Sequence, residues 1–91
     1  MIRFEWDVAK ARTNLAKHNV SFEESCMVFA DVNSLTIDDP QHSQSEKRSI
    51  TLGLASTSRL LVVVHTERNG KIRIISARRA SKKEKEQYEK K

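Results

Sequence analysis

Ninety-one residues with a single cysteine, Cys26, suit one domain spanning residues 1–91 with no intramolecular disulfide, which fits a reducing, cytoplasmic setting. No apolar run approaches the roughly 18 residues needed to span a bilayer, and the opening Met1-Ile2-Arg3-Phe4-Glu5-Trp6-Asp7 lacks a signal peptide's apolar stretch, so a soluble, unprocessed chain is expected. The net charge of +5 is concentrated: residues 71–91 hold nine Lys/Arg against three Glu, and residues 1–70 hold eight Lys/Arg against nine Asp/Glu. Such a field on one surface attracts polyanions, nucleic acid above all.

Ile2 to Trp6 is short and apolar-aromatic and predicts a small strand, with Asp7 as the N-cap of a first helix. Val8, Ala11, Leu15 and Ala16 recur at helical spacing, while Lys10, Arg12, Asn14 and Lys17 lie off that stripe. Asn19 suits the left-handed conformation that ends a helix. Ser21-Phe22-Glu23-Glu24 has capping-box spacing, and Phe22, Cys26 and Phe29 form the buried stripe of a second helix. Cys26 reads as a small core residue rather than a reactive thiol. Residues 7–30 therefore predict a helical hairpin.

Beyond Asp31 the period changes to two. Leu35 and Ile37 alternate with polar residues, and residues 39–45 form a polar loop. Glu46, Arg48, Ile50, Leu52 and Leu54 share one face of the next strand. After a turn at Ser56-Thr57-Ser58, two β-rich runs, Leu60–Thr66 and Lys71–Ala77, are joined through Asn69-Gly70, a strong hairpin signal. The strands make an antiparallel β-meander, and the helices must cover one of its faces. The expected fold is α+β, a helical hairpin packed on a meander, with a C-terminal helix after it.

A two-residue turn at Asn69-Gly70 pairs Thr66 with Arg73, His65 with Ile74, Val64 with Ile75 and Val63 with Ser76. Val62, Val64, Ile75 and Ala77 then share the drier face, the one expected beneath the helices. His65, Glu67, Ser76 and Arg78 share the other, which would floor a groove; a single bulge would reverse this assignment. The C-terminal helix should start near Lys82, since Ser81 and Glu84 have capping-box spacing. Arg78, Arg79, Lys82 and Lys83 crowd a helix end whose dipole disfavours cations, which reads either as a phosphate site or as a solvated basic end. With little apolar material beyond Tyr88, this helix is either weakly docked or completed by a partner chain.

Phe4-Glu5-Trp6-Asp7, Lys10, Asn14 and Lys17-His18-Asn19-Val20-Ser21-Phe22-Glu23-Glu24 resemble the opening of the BrnT toxins. Asp39, His42-Ser43, Glu46-Lys47-Arg48, Gly53, the run Arg73 to Glu84 and Tyr88 resemble the rest of that family in order and spacing. Asn19 stands where the family more often has Gly, which touches a helix cap and not the chemistry. The resemblance implies a RelE-like ribonuclease of a type II toxin–antitoxin module, which cleaves RNA and arrests translation. It implies neutralisation by a BrnA-type antitoxin, contact with operator DNA only through that antitoxin, and a homodimer within the complex.

Metal-independent RNA cleavage requires deprotonation of the 2′-hydroxyl, in-line geometry, stabilisation of the phosphorane charge and protonation of the leaving 5′-oxygen. Arginine suits the charge because its planar fork donates two hydrogen bonds and stays protonated. Arg48, Arg73 and Arg78 are the cationic catalytic candidates, and Arg79, Lys82 and Lys83 the RNA-binding ones. His65 and Glu67, with His42 and Glu46, are the acid–base candidates, although His65, between apolar neighbours, equally reads as a packing histidine, and Arg73 and Arg78 as ion-pair partners of Glu46 or Glu67. Lys17-His18 matches the family opening but also lies at a helix C-terminus, where the dipole favours cations. No residue spacing suggests a zinc site, Asp38-Asp39 could bind Mg²⁺ only weakly because adjacent carboxylates on a strand point to opposite faces, and no cofactor is expected. The basic end alone equally suits a non-catalytic nucleic-acid-binding module or a protein-interaction module.

Overall fold

A computed structural model describes residues 1–39 and 46–90. The greater part of the expected polar loop, with the candidate His42, lies outside them. The described chain runs β1 (Phe4–Glu5), α1 (Val8–His18), α2 (Phe22–Cys26), a 3₁₀ turn (Met27–Ala30), β2 (Leu35–Asp38), β3 (Arg48–Leu54), β4 (Leu60–Arg68), β5 (Lys71–Arg79) and α3 (Lys82–Glu89). The sheet has the order β1-β5-β4-β3-β2. β2 to β5 form the expected meander, and β1 adds a parallel edge to β5, pairing Phe4 with Ile72 and Glu5 with Arg73. The architecture is thus α+β, with a mixed sheet rather than a purely antiparallel one.

Local signals account for the element ends. Asp7 accepts from the Lys10 amide and opens α1, and Asn19, at φ 57°, closes it. Asn69 and Gly70, at φ 54° and 76°, make the tight turn between β4 and β5. Ser21 caps α2 through the Glu24 amide. The Glu24 carboxylate, however, does not complete a capping box among the described contacts. It forms an ion pair with Arg59, which also donates to the Asn19 carbonyl, and accepts from Thr57. Arg59 thereby holds the Glu24 carboxyl below its ordinary range and ties the β3–β4 turn to the helices.

The core lies between α1, α2, the 3₁₀ turn and one face of the sheet. Val20, Phe22, Val28, Leu61, Val63, Ile74 and Ala77 are buried there. Each fully buried aliphatic or aromatic side chain contributes about 1.5–3 kcal/mol. Phe4 meets Phe29 at 5.4 Å between ring centroids, and Trp6 meets Phe22 at 6.0 Å. Gly53 lets the 3₁₀ turn approach β3. A Cβ there would stand 2.8 Å from the Val28 Cβ, closer than side chains pack.

Two expectations are corrected. The stripe Val8, Ala11, Leu15 and Ala16 is not the buried face of α1, since Val8 is 62% and Leu15 48% exposed. Instead Asn14 is buried, between the partly buried Ala11 and His18. Its amide nitrogen donates to the Val20 carbonyl at 3.0 Å and the Ala77 carbonyl at 2.9 Å, and its oxygen accepts from the Ala77 amide at 3.0 Å. An amide that satisfies three backbone groups outweighs an apolar contact in deciding which face turns inward.

The second correction concerns the hairpin. The register holds from Arg68–Lys71 to His65–Ile74 as expected, then shifts: Val64 pairs with Ser76, Val63 with Ala77 and Val62 with Arg78, leaving Ile75 as a bulge. One inserted residue reverses every side chain beyond it. The helices accordingly cover Leu61, Val63, His65, Ile74 and Ala77, not the Val62 and Val64 face. Arg78 no longer shares a face with His65.

Candidate nucleic-acid interface

The face away from the core is built in rows across the strands. Ile37, Ile50, Val64 and Ser76 stand in one row, and Leu35, Leu52, Val62 and Arg78 in the next. Toward the β4–β5 turn follows a polar row of Arg48, Thr66, Arg73 and Glu5. Val62, Val64, Ser76 and Arg78 with His18 line a groove of about 210 Å³, reached from one side by Glu84 of α3. A second cleft of about 330 Å³ adjoins it, lined by Lys10, Thr13, Lys17, His18 and Ser76 among others. His18 and Ser76 are common to both. An apolar floor with a histidine, a hydroxyl, an arginine and two lysines around it matches the mixed chemistry of a ribose–phosphate chain.

Arg78 is fixed by Glu84. Its Nη1 and Nη2 donate to the two carboxylate oxygens at 2.8 Å each, a fork-to-fork pair. That pairing brings the Glu84 carboxyl down to about 2 from its ordinary 4.5 and raises the Arg78 guanidinium. Arg73 donates to Glu5 at 3.2 Å, and Arg48 stands beside Thr66 in the same row. At the turn end Arg68 donates to both Glu46 oxygens at 2.7 and 2.9 Å, which holds that carboxyl below its ordinary range.

The structure brings Arg48, Arg73 and Arg78 to one face and places His65 and Glu67 on the other. His65 is half-buried on the helix-covered face, edge-on to Phe29 at 4.9 Å, with its Nε2 2.7 Å from the Thr51 hydroxyl. Burial depresses its pKa. Glu67 is exposed opposite Ile72 near the turn. Arg79 points away from Arg78 and lines a separate cavity of about 360 Å³ with Lys85 and Tyr88. Lys82 and Lys83 are exposed in the first turn of α3. The groove histidine is His18, whose place at a helix C-terminus has an ordinary dipole explanation. Its only other signal is its position in the resembled opening.

α3 is docked by polar anchors one turn apart. Besides the Glu84–Arg78 pair, the Tyr88 hydroxyl donates to Asp31 at 2.6 Å. That bond pushes the phenol up to about 12. Ser81 and Glu84 form the full expected capping box. Burial pushes the Cys26 thiol up to about 11, which suits a core residue. Among the described residues no three His, Cys, Asp or Glu side chains gather to hold a metal ion. Among those residues, too, no helix is long and apolar enough to cross a membrane.

A family model described as the ribonuclease toxin BrnT of type II toxin–antitoxin systems matches residues 6–84. Among solved structures, the chain is similar to the 1.1 Å crystal structure of the Brucella abortus ribonuclease toxin BrnT, with a TM-score of 0.69 and 20% identity. That match covers 90% of this chain and 100% of the Brucella chain. No curated protein sequence matches this one. The structural likeness supports the fold, and the family match spans most of the chain, including the groove residues Lys10, Lys17, His18, Ser76 and Arg78. The chain therefore belongs to the BrnT family: it is a ribonuclease toxin whose target is RNA and whose partner is the antitoxin of a type II module.

Proposed function

We propose that RNA is cleaved in the groove where His18, Ser76 and Arg78 meet, by a metal-independent endonucleolytic step that arrests translation in the cytoplasm. The observation that carries this reading is the meeting of two clefts at His18 and Ser76, with Arg78 in one and Lys10 and Lys17 in the other. A strand lying across both would set its phosphates against cations and a sugar or base against Val62 and Val64. Arg78 then takes up the charge that grows on the phosphorane oxygens. His18, in the groove, removes the 2′-hydroxyl proton as the oxygen attacks phosphorus, and the leaving 5′-oxygen takes its proton from water. Arg48 and Arg73 hold the strand one row further on, and Lys82 and Lys83 hold it around the start of α3, while Arg79, turned to the other face of β5, is left outside the groove. His65 and Glu67 are left outside this chemistry. His65 serves the packing of the helix-covered face, where its half-buried ring meets Phe29 and bonds Thr51.

The partner, on this reading, is a BrnA-type antitoxin that covers the cationic surface and alone carries the contact to operator DNA, in a complex holding two toxin chains. The test of the activity is direct. Folded protein at micromolar concentration should cleave total RNA in excess EDTA. RNA left intact under those conditions, or cut only after Mg²⁺ is restored, would reject the metal-independent step.

A further inference from the structure

Arg78 sits at the end of β5, on an exposed stretch just before α3. A long side chain in such a place explores many rotamers, and a flexible guanidinium is a poor transition-state donor, because fixing it during the reaction costs entropy. In this structure it is already fixed. Glu84 grips both terminal nitrogens at 2.8 Å. The same carboxylate accepts from the Ser81 amide at 2.8 Å, while the Glu84 amide donates to the Ser81 hydroxyl at 3.2 Å. One side chain thus closes the first turn of α3 and aims the arginine that precedes it. Glu84 also lines the groove with His18, Ser76 and Arg78.

We propose that Glu84 is a positioning residue for cleavage: it holds the Arg78 guanidinium in the plane and orientation needed at the scissile phosphate. This inference rests on the assignment of cleavage to the groove. Bidentate pairing leaves Arg78 one orientation of its fork, and the helix anchors the carboxylate in turn. The carboxylate remains ionised at neutral pH, so Glu84 orients rather than shuttles protons. RNA meets an arginine whose Nε edge and outer face remain for phosphate.

Steady-state cleavage of a fluorophore-quenched, mixed-sequence RNA oligonucleotide tests this in four proteins: wild type, Glu84→Gln, Ser81→Ala and Arg78→Ala. The glutamine is nearly isosteric but offers one acceptor oxygen in place of two. Glu84→Gln should lower kcat about 10–100-fold, less than the roughly 10²–10³ lost with the donor itself, with KM within about threefold. Ser81→Ala removes the N-cap of α3 and leaves the clamp, and should keep kcat within about threefold of wild type. Arg78→Ala should lose the most. If Arg78→Ala is inactive while Glu84→Gln keeps the wild-type kcat, the groove assignment stands and the positioning role is overturned. Equal losses in Glu84→Gln and Ser81→Ala would reduce Glu84 to a helix-forming residue. A faster Glu84→Gln would make it a mask over Arg78 instead. Full activity in Arg78→Ala would overturn the groove assignment and the positioning role together.

Discussion

Replacing Arg78 with alanine is expected to abolish growth arrest when the toxin is expressed without its antitoxin, and to slow RNA cleavage about 10²–10³-fold, the usual cost of one lost transition-state donor. The fold should survive. The Arg78 side chain is 45% exposed, and its pair with Glu84 belongs to the class of surface ion pairs worth about 0–1 kcal/mol. The thermal midpoint should therefore move by only a few degrees. A large fall in midpoint accompanying the lost activity would show that Arg78 supports the structure and would leave the loss of cleavage without a chemical reading. Retained cleavage with an intact fold would remove Arg78 from the reaction.

Asn14→Ala should give the largest loss of stability of any single substitution outside the apolar core. Asn14 is 6% exposed and satisfies the Val20 carbonyl and both backbone groups of Ala77. Alanine would leave three buried backbone groups unpartnered, each costing about 1–3 kcal/mol unless water reaches it. A net loss of roughly 3 kcal/mol is expected, partial relaxation included, which in a domain of this size lowers the midpoint by roughly 10–20 °C. Val8→Ala, although it removes an apolar side chain from the stripe visible in the sequence, should cost less than about 0.5 kcal/mol, because Val8 is 62% exposed. Thermal unfolding of the two variants side by side decides between these faces of α1. A larger effect for Val8→Ala would return the helix to its apolar stripe.

Much of the fold was legible because its signals are local. Asp7, Asn19, Ser21, Asn69-Gly70 and the Ser81–Glu84 box each act within four residues, and each marks the boundary it was expected to mark. What could not be read depends on contacts distant in sequence. Asn14 looks like a surface polar residue until Ala77, 63 positions away, is placed against it. The run Leu60–Val64 is apolar on both faces, so its alternation does not say which face the helices cover. The bulge at Ile75 carries no glycine or other marker, yet it moves Arg78 across the sheet from His65. The parallel edge strand Phe4–Glu5 was legible as a strand, but its partner was not.

The same limits shaped the reading of the site. Arg78 and Arg79 stood out by charge at the end of β5, but their turning to opposite faces did not. Which histidine lines the groove could not be read, because His65 lies in the same hairpin as Arg78 while His18 is brought there only by the packing of α1 on β5. Glu84 was visible as a capping residue, but its grip on Arg78 reaches six residues back, beyond anything the capping spacing signals.

The central claim is that RNA lies across the two clefts that meet at His18 and Ser76. The most direct measurement is a titration of ¹⁵N-labelled toxin with a mixed-sequence 2′-O-methyl RNA oligonucleotide, which binds but lacks the attacking hydroxyl. The amides of Lys17, His18, Ser76 and Arg78 should shift together and saturate at one affinity, with Thr51 and His65 unmoved. Shifts confined to Glu67 and the turn at Asn69-Gly70, or to the cavity of Arg79, Lys85 and Tyr88, with His18 and Ser76 unmoved, would contradict it.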